Sequence, residues 1–147
     1  MPLRIVTWNF LAGGSSRRTA HWQLIRDRLA PEILMTQECR LDLAGQGWSD
    51  QLWARAAGRG WGTGLYVARG KISRIPIPGF SGWVTGGELD GCRVTRRPLR
   101  AFSVHCPPGQ HGYVSNMGRI LDRLAPLSRD ADLVVGGDFN VVAGLRG

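Results

Sequence analysis

Short apolar runs punctuated by polar and glycine-bearing breaks set the reading of this chain. Leu3–Trp8 predicts a buried strand that gives way to Asn9-Phe10-Leu11-Ala12-Gly13-Gly14. Ser15 or Ser16 then offers a helix cap, and Trp22, Ile25 and Leu29 recur at helical spacing until Pro31 closes the helix. Ile33–Met35 predicts the next buried strand, ending at Gln37-Glu38, and Asp50–Ala57 predicts a short helix behind Ser49. The middle of the chain changes character. Gly62–Ala68, Ile72–Ile77, Gly82–Leu89 and Cys92–Thr95 predict short strands separated by Gly and Pro, as in antiparallel ribbons. Leu99–His105 predicts another strand. Val114, Met117, Leu121 and Leu124 then mark an amphipathic helix, and Leu133–Val135 the last strand. A β-α-β start, antiparallel strands and a strand–helix–strand close predict a layered α/β sheet protein.

Composition adds bounds. The 147 residues give room for one domain, and a 43% apolar content suits a globular core. No run approaches the roughly 18 apolar residues of a membrane-spanning helix. Leu3–Trp8 is too short for the apolar region of a signal peptide, so a cytoplasmic protein is expected. Cys39, Cys92 and Cys106 have neither C-x-x-C spacing nor an even count, which argues for buried small hydrophobes over a zinc knuckle or disulfide framework.

The net charge of +8 favours polyanions, and all but one of the 19 basic residues are arginines, Lys71 being the exception. An arginine bias in base composition of the gene explains the same count. The charge therefore supports a phosphate-bearing substrate without identifying one.

Candidate chemistry sits where the predicted strands end. Ile5–Trp8 leads to Asn9, Ile33–Gln37 to Glu38, Phe102–Val104 to His105, and Leu133–Gly137 to Asp138-Phe139-Asn140. If these strands share a carboxyl edge, acid, amide and imidazole converge on one crevice, where open α/β sheets place ligands. Taken singly, each residue is better read as a turn former, a surface pair of Glu38 with Arg40 or Arg4, or a loop histidine beside Cys106-Pro107-Pro108. As a set they fit metal-assisted phosphoryl hydrolysis. Glu38 is a hard oxygen ligand for Mg²⁺ or Mn²⁺, and Asn9 adds an amide oxygen or donates to phosphate. Asp138 aligns or deprotonates the attacking water with Asn140 fixing it, and His105 protonates the leaving oxygen or binds the phosphate.

At these residues the sequence resembles the endonuclease/exonuclease/phosphatase superfamily, which includes exonuclease III, deoxyribonuclease I and neutral sphingomyelinases. The resemblance is carried by Thr7-Trp8-Asn9, Gln37-Glu38, Gly64-Leu65-Tyr66-Val67, Val104-His105-Cys106-Pro107-Pro108 and Gly137-Asp138-Phe139-Asn140, in the family's order. It implies a four-layer α/β/β/α sandwich. It also implies Glu38 as the metal-binding glutamate, Asn9 as its partner, and Asp138 and Asn140 as the pair that handles nucleophile and phosphate. His105 is similar to the first histidine of the deoxyribonuclease I and sphingomyelinase branches. The family's later aspartate and closing Asp-His pair have no counterpart, since only His21, His105 and His111 occur. The expectation is a single C-terminally truncated domain with impaired hydrolysis. Its first sheet alone would be complete, and an exposed apolar inner face would be open to a partner protein.

Two other classes compete. One is a non-catalytic remnant that binds metal, phosphate or a partner. The other, a nucleotide-binding α/β domain, lacks G-x-x-x-x-G-K-[ST] and G-x-G-x-x-G; the alternating Gly58, Gly60, Gly62 and Gly64 precede a strand. Trp48, Trp53, Trp61 and Trp83 offer stacking surfaces for bases, although core packing explains most of them.

Overall fold

Eight strands form two four-stranded sheets in the computed structural model, which describes residues 2–13, 18–40, 47–92, 96–110 and 112–141. The elements are β1 (Ile5–Asn9), α1 (Arg18–Leu24), β2 (Ile33–Cys39), β3 (Asp50–Arg55), β4 (Gly62–Val67), β5 (Lys71–Arg74), β6 (Val84–Asp90), β7 (Leu99–His105), α2 (Gly112–Leu124) and β8 (Asp132–Asp138). One sheet has the order β1-β2-β4-β3 and the other β5-β6-β7-β8. Within them β1 runs parallel to β2 and β7 parallel to β8, while the remaining pairs are antiparallel.

Strand alternation explains how the layers meet, because residues two apart share a face. Ile33, Met35, Leu65 and Val67 of the first sheet pack against Ile72, Leu89, Leu99 and Ala101 of the second. The opposite faces take the helices. Trp22 and Ile25 cover Leu34 and Tyr66 on the first sheet, and Met117, Ile120 and Leu124 cover Phe102 and Val104 on the second. The result is four layers, helix–sheet–sheet–helix, as the resemblance implies. Tyr66 and Phe102 are fully buried in the two outer interfaces. Burial of an apolar side chain of this size contributes about 1.5–3 kcal/mol.

Three expectations change. Asp50–Arg55 is a strand, paired residue for residue with β4 from Asp50↔Val67 to Arg55↔Gly62. Its Leu, Trp and Ala residues suit a helix locally, but pairing along a whole edge of β4 outweighs that propensity. Both sheets have four strands, and Ile33, Met35, Leu65 and Val67 on the inner face of the first are covered by the second instead of being left exposed. On α2, Val114 and Leu121 point to solvent, whereas Ile120 is buried with Met117, Leu124 and Asn116. Met117 and Leu124 of the expected stripe hold, and Asn116 and Ile120 take the places expected for Val114 and Leu121.

The three cysteines are buried, as expected. Ser15, Ser16 and positions 93–95 of the strand expected at Cys92–Thr95 lie outside the described residues. Among the described residues, no helix is long and apolar enough to cross a membrane.

Candidate functional site

The parallel pairs β1–β2 and β7–β8 bring four strand ends to one end of the sandwich, with β1 lying against β8. Alternation directs three of the four end groups inward. Asn9 follows Thr7 and Ile5 on the inner face, His105 follows Ser103 and Ala101, and Asp138 follows Gly136 and Val134. Glu38 breaks the rule, since its neighbour Gln37 already occupies the inner face. The register between β2 and β4 shifts between Thr36 and Cys39, and Glu38 has a left-handed φ of 50°. An irregularity of this kind re-aims a side chain, here turning Glu38 toward the same end group as the others.

Gln37 fixes the frame around it. Its Oε1 accepts from Thr7 Oγ1 at 3.2 Å, its Nε2 donates to Ser103 Oγ at 3.0 Å, and Ser103 Oγ donates to the Thr36 carbonyl at 2.8 Å. The partners come from both sheets, so the network ties one layer to the other directly below the site.

Glu38, His105 and Asp138 converge with one ligand atom of each lying within 4.8 Å of the others. His105 Nε2 is 4.0 Å from Glu38 Oε1 and His105 Nδ1 is 4.0 Å from Asp138 Oδ2, both too long for hydrogen bonds. Nδ1 is buried and has no hydrogen-bond partner. Asn9 Nδ2 donates to Glu38 Oε1 at 3.2 Å and to Asp138 Oδ2 at 3.0 Å, bridging the carboxylates. Asn9 Oδ1 accepts from the Leu11 N–H at 2.8 Å, which leaves its second lone pair for a ligand. Asp138 Oδ1 accepts from the Asn140 N–H at 3.0 Å, and Asn140 Nδ2 donates to the Cys106 carbonyl at 3.3 Å. All five residues singled out in the sequence are therefore brought to one place. Neither Arg4 nor Arg40 pairs with Glu38; Arg4 instead serves Glu32 and Leu29 through its N–H and guanidinium.

Burial pushes the His105 imidazole below its ordinary value of 6.5, against the pull of the Glu38 and Asp138 carboxylates and with the help of the Arg59 charge. Trp83 lies nearly parallel to the imidazole, with ring centroids 5.7 Å apart, and Trp61 meets it edge-on at 5.0 Å. These two indoles, with Arg59, Tyr113 and Pro108, wall a cleft of about 340 Å³ that opens on Glu38, His105 and Asn140. Trp83 thus packs against the core of the second sheet and also walls the cleft, whereas Trp61 belongs to the cleft wall alone among the clusters described. Arg59 and Tyr113 carry no motif, since their place depends on turns that bring distant segments together.

The approach of Trp83 to Trp61 has a local cause. Gly82 sits at φ 75° so close to β3 that a Cβ would lie 2.0 Å from the Arg55 carbonyl, and Thr63 Oγ1 donates to its carbonyl at 3.1 Å. A side chain there would lift the segment off and open the wall.

Comparisons with known proteins agree with this architecture. The endonuclease domain of TRAS1, a telomere-specific non-LTR retrotransposon, superposes with a TM-score of 0.70 at 18% identity over 97% of this chain and 63% of that one. An endonuclease/exonuclease/phosphatase family protein from Bacteroides thetaiotaomicron gives 0.67 at 20% identity, covering 95% and 64%. TDP2 from D. rerio, solved in complex with single strand DNA product, gives 0.67 at 15% identity, covering 95% and 61%. The chain thus spans a little under two thirds of the length of these structures. No curated protein sequence matches it. Residues 6–147 match the profile of the Endonuclease/Exonuclease/phosphatase family, and the chain belongs to that family.

Proposed function

We propose that the chain carries the working residues of a divalent-metal-dependent phosphoesterase. The observation behind this reading is the convergence of Glu38, His105 and Asp138, from three strands of two sheets, to ligand atoms within 4.8 Å of one another. Two carboxylates held so close repel unless a donor or a cation lies between them. Asn9 Nδ2 meets part of that need, and the partnerless Nδ1 of His105 is a further unfilled donor position. The residues present fit a hard cation: carboxylate oxygens suit Mg²⁺ or Mn²⁺, and an imidazole in the set favours the latter.

Such a cation, when bound, supplies charge neutralisation at the phosphate. The chain's own residues account for the rest. Glu38 holds the cation, with the second lone pair of Asn9 Oδ1 available beside it. Asp138 orients the attacking water and accepts its proton as the new P–O bond forms and the bond to the leaving oxygen breaks, that oxygen taking a proton from solvent. Asn140, tied to Asp138 through its N–H, keeps the carboxylate aligned. His105, kept neutral by burial, donates a hydrogen bond to a phosphate oxygen.

Nucleic acid is the substrate class that fits best. The net charge of +8 favours polyanions, and a TDP2 of similar fold has been solved with single strand DNA product. The test is hydrolysis of bis-(p-nitrophenyl) phosphate by the purified chain with Mg²⁺ or Mn²⁺, alongside Asp138→Ala. Cation-dependent turnover lost in the variant is the expected result. Cation and phosphate binding without turnover, unaltered by Asp138→Ala, would reject catalysis and leave a binding module.

A further inference from the structure

Three arginines of this fold are committed to carboxylates. Arg100 spends its guanidinium on Asp130 and Glu88, Arg97 reaches Asp132, and Arg69 reaches Glu32. Arg59 differs. It stands in the wall of the cleft, and among the described residues no carboxylate lies within ion-pair distance of it.

Its backbone is nevertheless firmly held. The Arg59 N–H donates to the Ala56 carbonyl at 3.0 Å, Arg55 Nε donates to the Arg59 carbonyl at 2.6 Å, and the Ala56 N–H closes the turn on the Trp61 carbonyl at 3.0 Å. Its guanidinium carbon lies 5.8 Å from the Trp61 ring centroid and 5.9 Å from that of Trp83, within the range of cation–π attraction. The two indoles are themselves packed edge to face at 5.4 Å and both touch His105.

We propose that Arg59 is a phosphate-binding residue of this cleft, held by Trp61 and Trp83 so that its N–H donors grip the non-bridging oxygens of a phosphoester bound at Glu38, His105 and Asp138. The inference rests on the phosphoesterase reading above. Charge balance argues for it. A divalent cation offsets the two carboxylates and leaves the negative charge of a phosphodiester uncompensated. Arg59, in the lining of the same cleft as Glu38 and His105, is placed to supply the missing charge. Arginine suits the place better than lysine, because a planar guanidinium rests against indoles and still presents several donors in a fork.

The experiment pairs calorimetric titration of inorganic phosphate into the Mn²⁺-loaded chain with steady-state hydrolysis of bis-(p-nitrophenyl) phosphate. Arg59→Gln is expected to weaken phosphate binding about tenfold, the scale of a lost charge-assisted hydrogen bond, and to raise KM more than it lowers kcat. Mn²⁺ affinity should be unchanged, since Arg59 is not a ligand. Arg59→Met, which keeps an apolar stem over the indoles, should show the same loss, and it decides the matter if the glutamine variant misfolds. Wild-type phosphate affinity in folded variants would overturn the role of Arg59 and leave the site reading intact. Failure of the wild-type chain to bind Mn²⁺ and phosphate at all would overturn both.

Discussion

Gln37 Nε2 donates to Ser103 Oγ at 3.0 Å across the interface between the two sheets, and both side chains are buried. The bond lies one residue before Glu38 and two before His105 in their strands, so it sets the spacing of the groups above it. Replacing Gln37 with Leu leaves Thr7 Oγ1 without its acceptor and cuts the tie. We expect a loss of about 1–3 kcal/mol in denaturant unfolding, with weaker Mn²⁺ binding. A loss under about 0.5 kcal/mol, the range of an ordinary surface change, would mean that the sheets hold register without it.

Acid should weaken the cation-free fold through His105. Burial holds its folded value below the 6.5 of an exposed imidazole, so the unfolded chain binds the proton more readily. Unfolding then takes up protons, and stability rises with pH. The contribution is fully present above about 6.5 and declines as pH falls through and below that value. Urea unfolding at a series of pH values should show this slope, and His105→Phe should flatten it. An unchanged slope in the variant would assign the effect elsewhere.

Gly137 precedes Asp138 at φ 147°, and a Cβ there would fall 1.9 Å from the Val104 carbonyl. Backbone on the neighbouring strand cannot yield as a side-chain tip does. Gly137→Ala should therefore cost about 3 kcal/mol or more and displace Asp138 from Asn9. Thermal melting of the variant gives the first effect and Mn²⁺ titration the second; a near-normal melting temperature would refute the clash.

The two neighbours Ile120 and Leu121 should respond differently to truncation. Ile120 is fully buried against the second sheet, while Leu121 is 49% exposed. Ile120→Ala is expected to destabilise by about 2–5 kcal/mol and Leu121→Ala by a small fraction of that. Equal losses would place the helix in a different rotation.

The same pair marks where sequence reasoning reached and where it stopped. Strand ends were legible because each couples an apolar run to one polar residue, which is how Asn9, Glu38, His105 and Asp138 could be grouped. The α2 face was not, because Val114 and Leu121 fit helical spacing as well as Ile120 does, and only the second sheet decides between them. The Asp50–Arg55 strand was hidden for the same reason, its state being set by β4 and not by its own residues. Arg59 and Trp83 are 24 positions apart in the sequence and meet through a close backbone approach at Gly82, which no local pattern records.

The mixed origin of the candidate cation site has a thermodynamic consequence. Asn9 and Glu38 belong to one sheet, His105 and Asp138 to the other. Any sliding or parting of the layers separates these groups before it disturbs either sheet internally. A cation that binds only the assembled arrangement would then act as a rivet, adding RT ln(1 + [L]/Kd) to the work of prising the sandwich apart. Affinity for the ion and mechanical cohesion of the two layers would be one quantity measured in two ways.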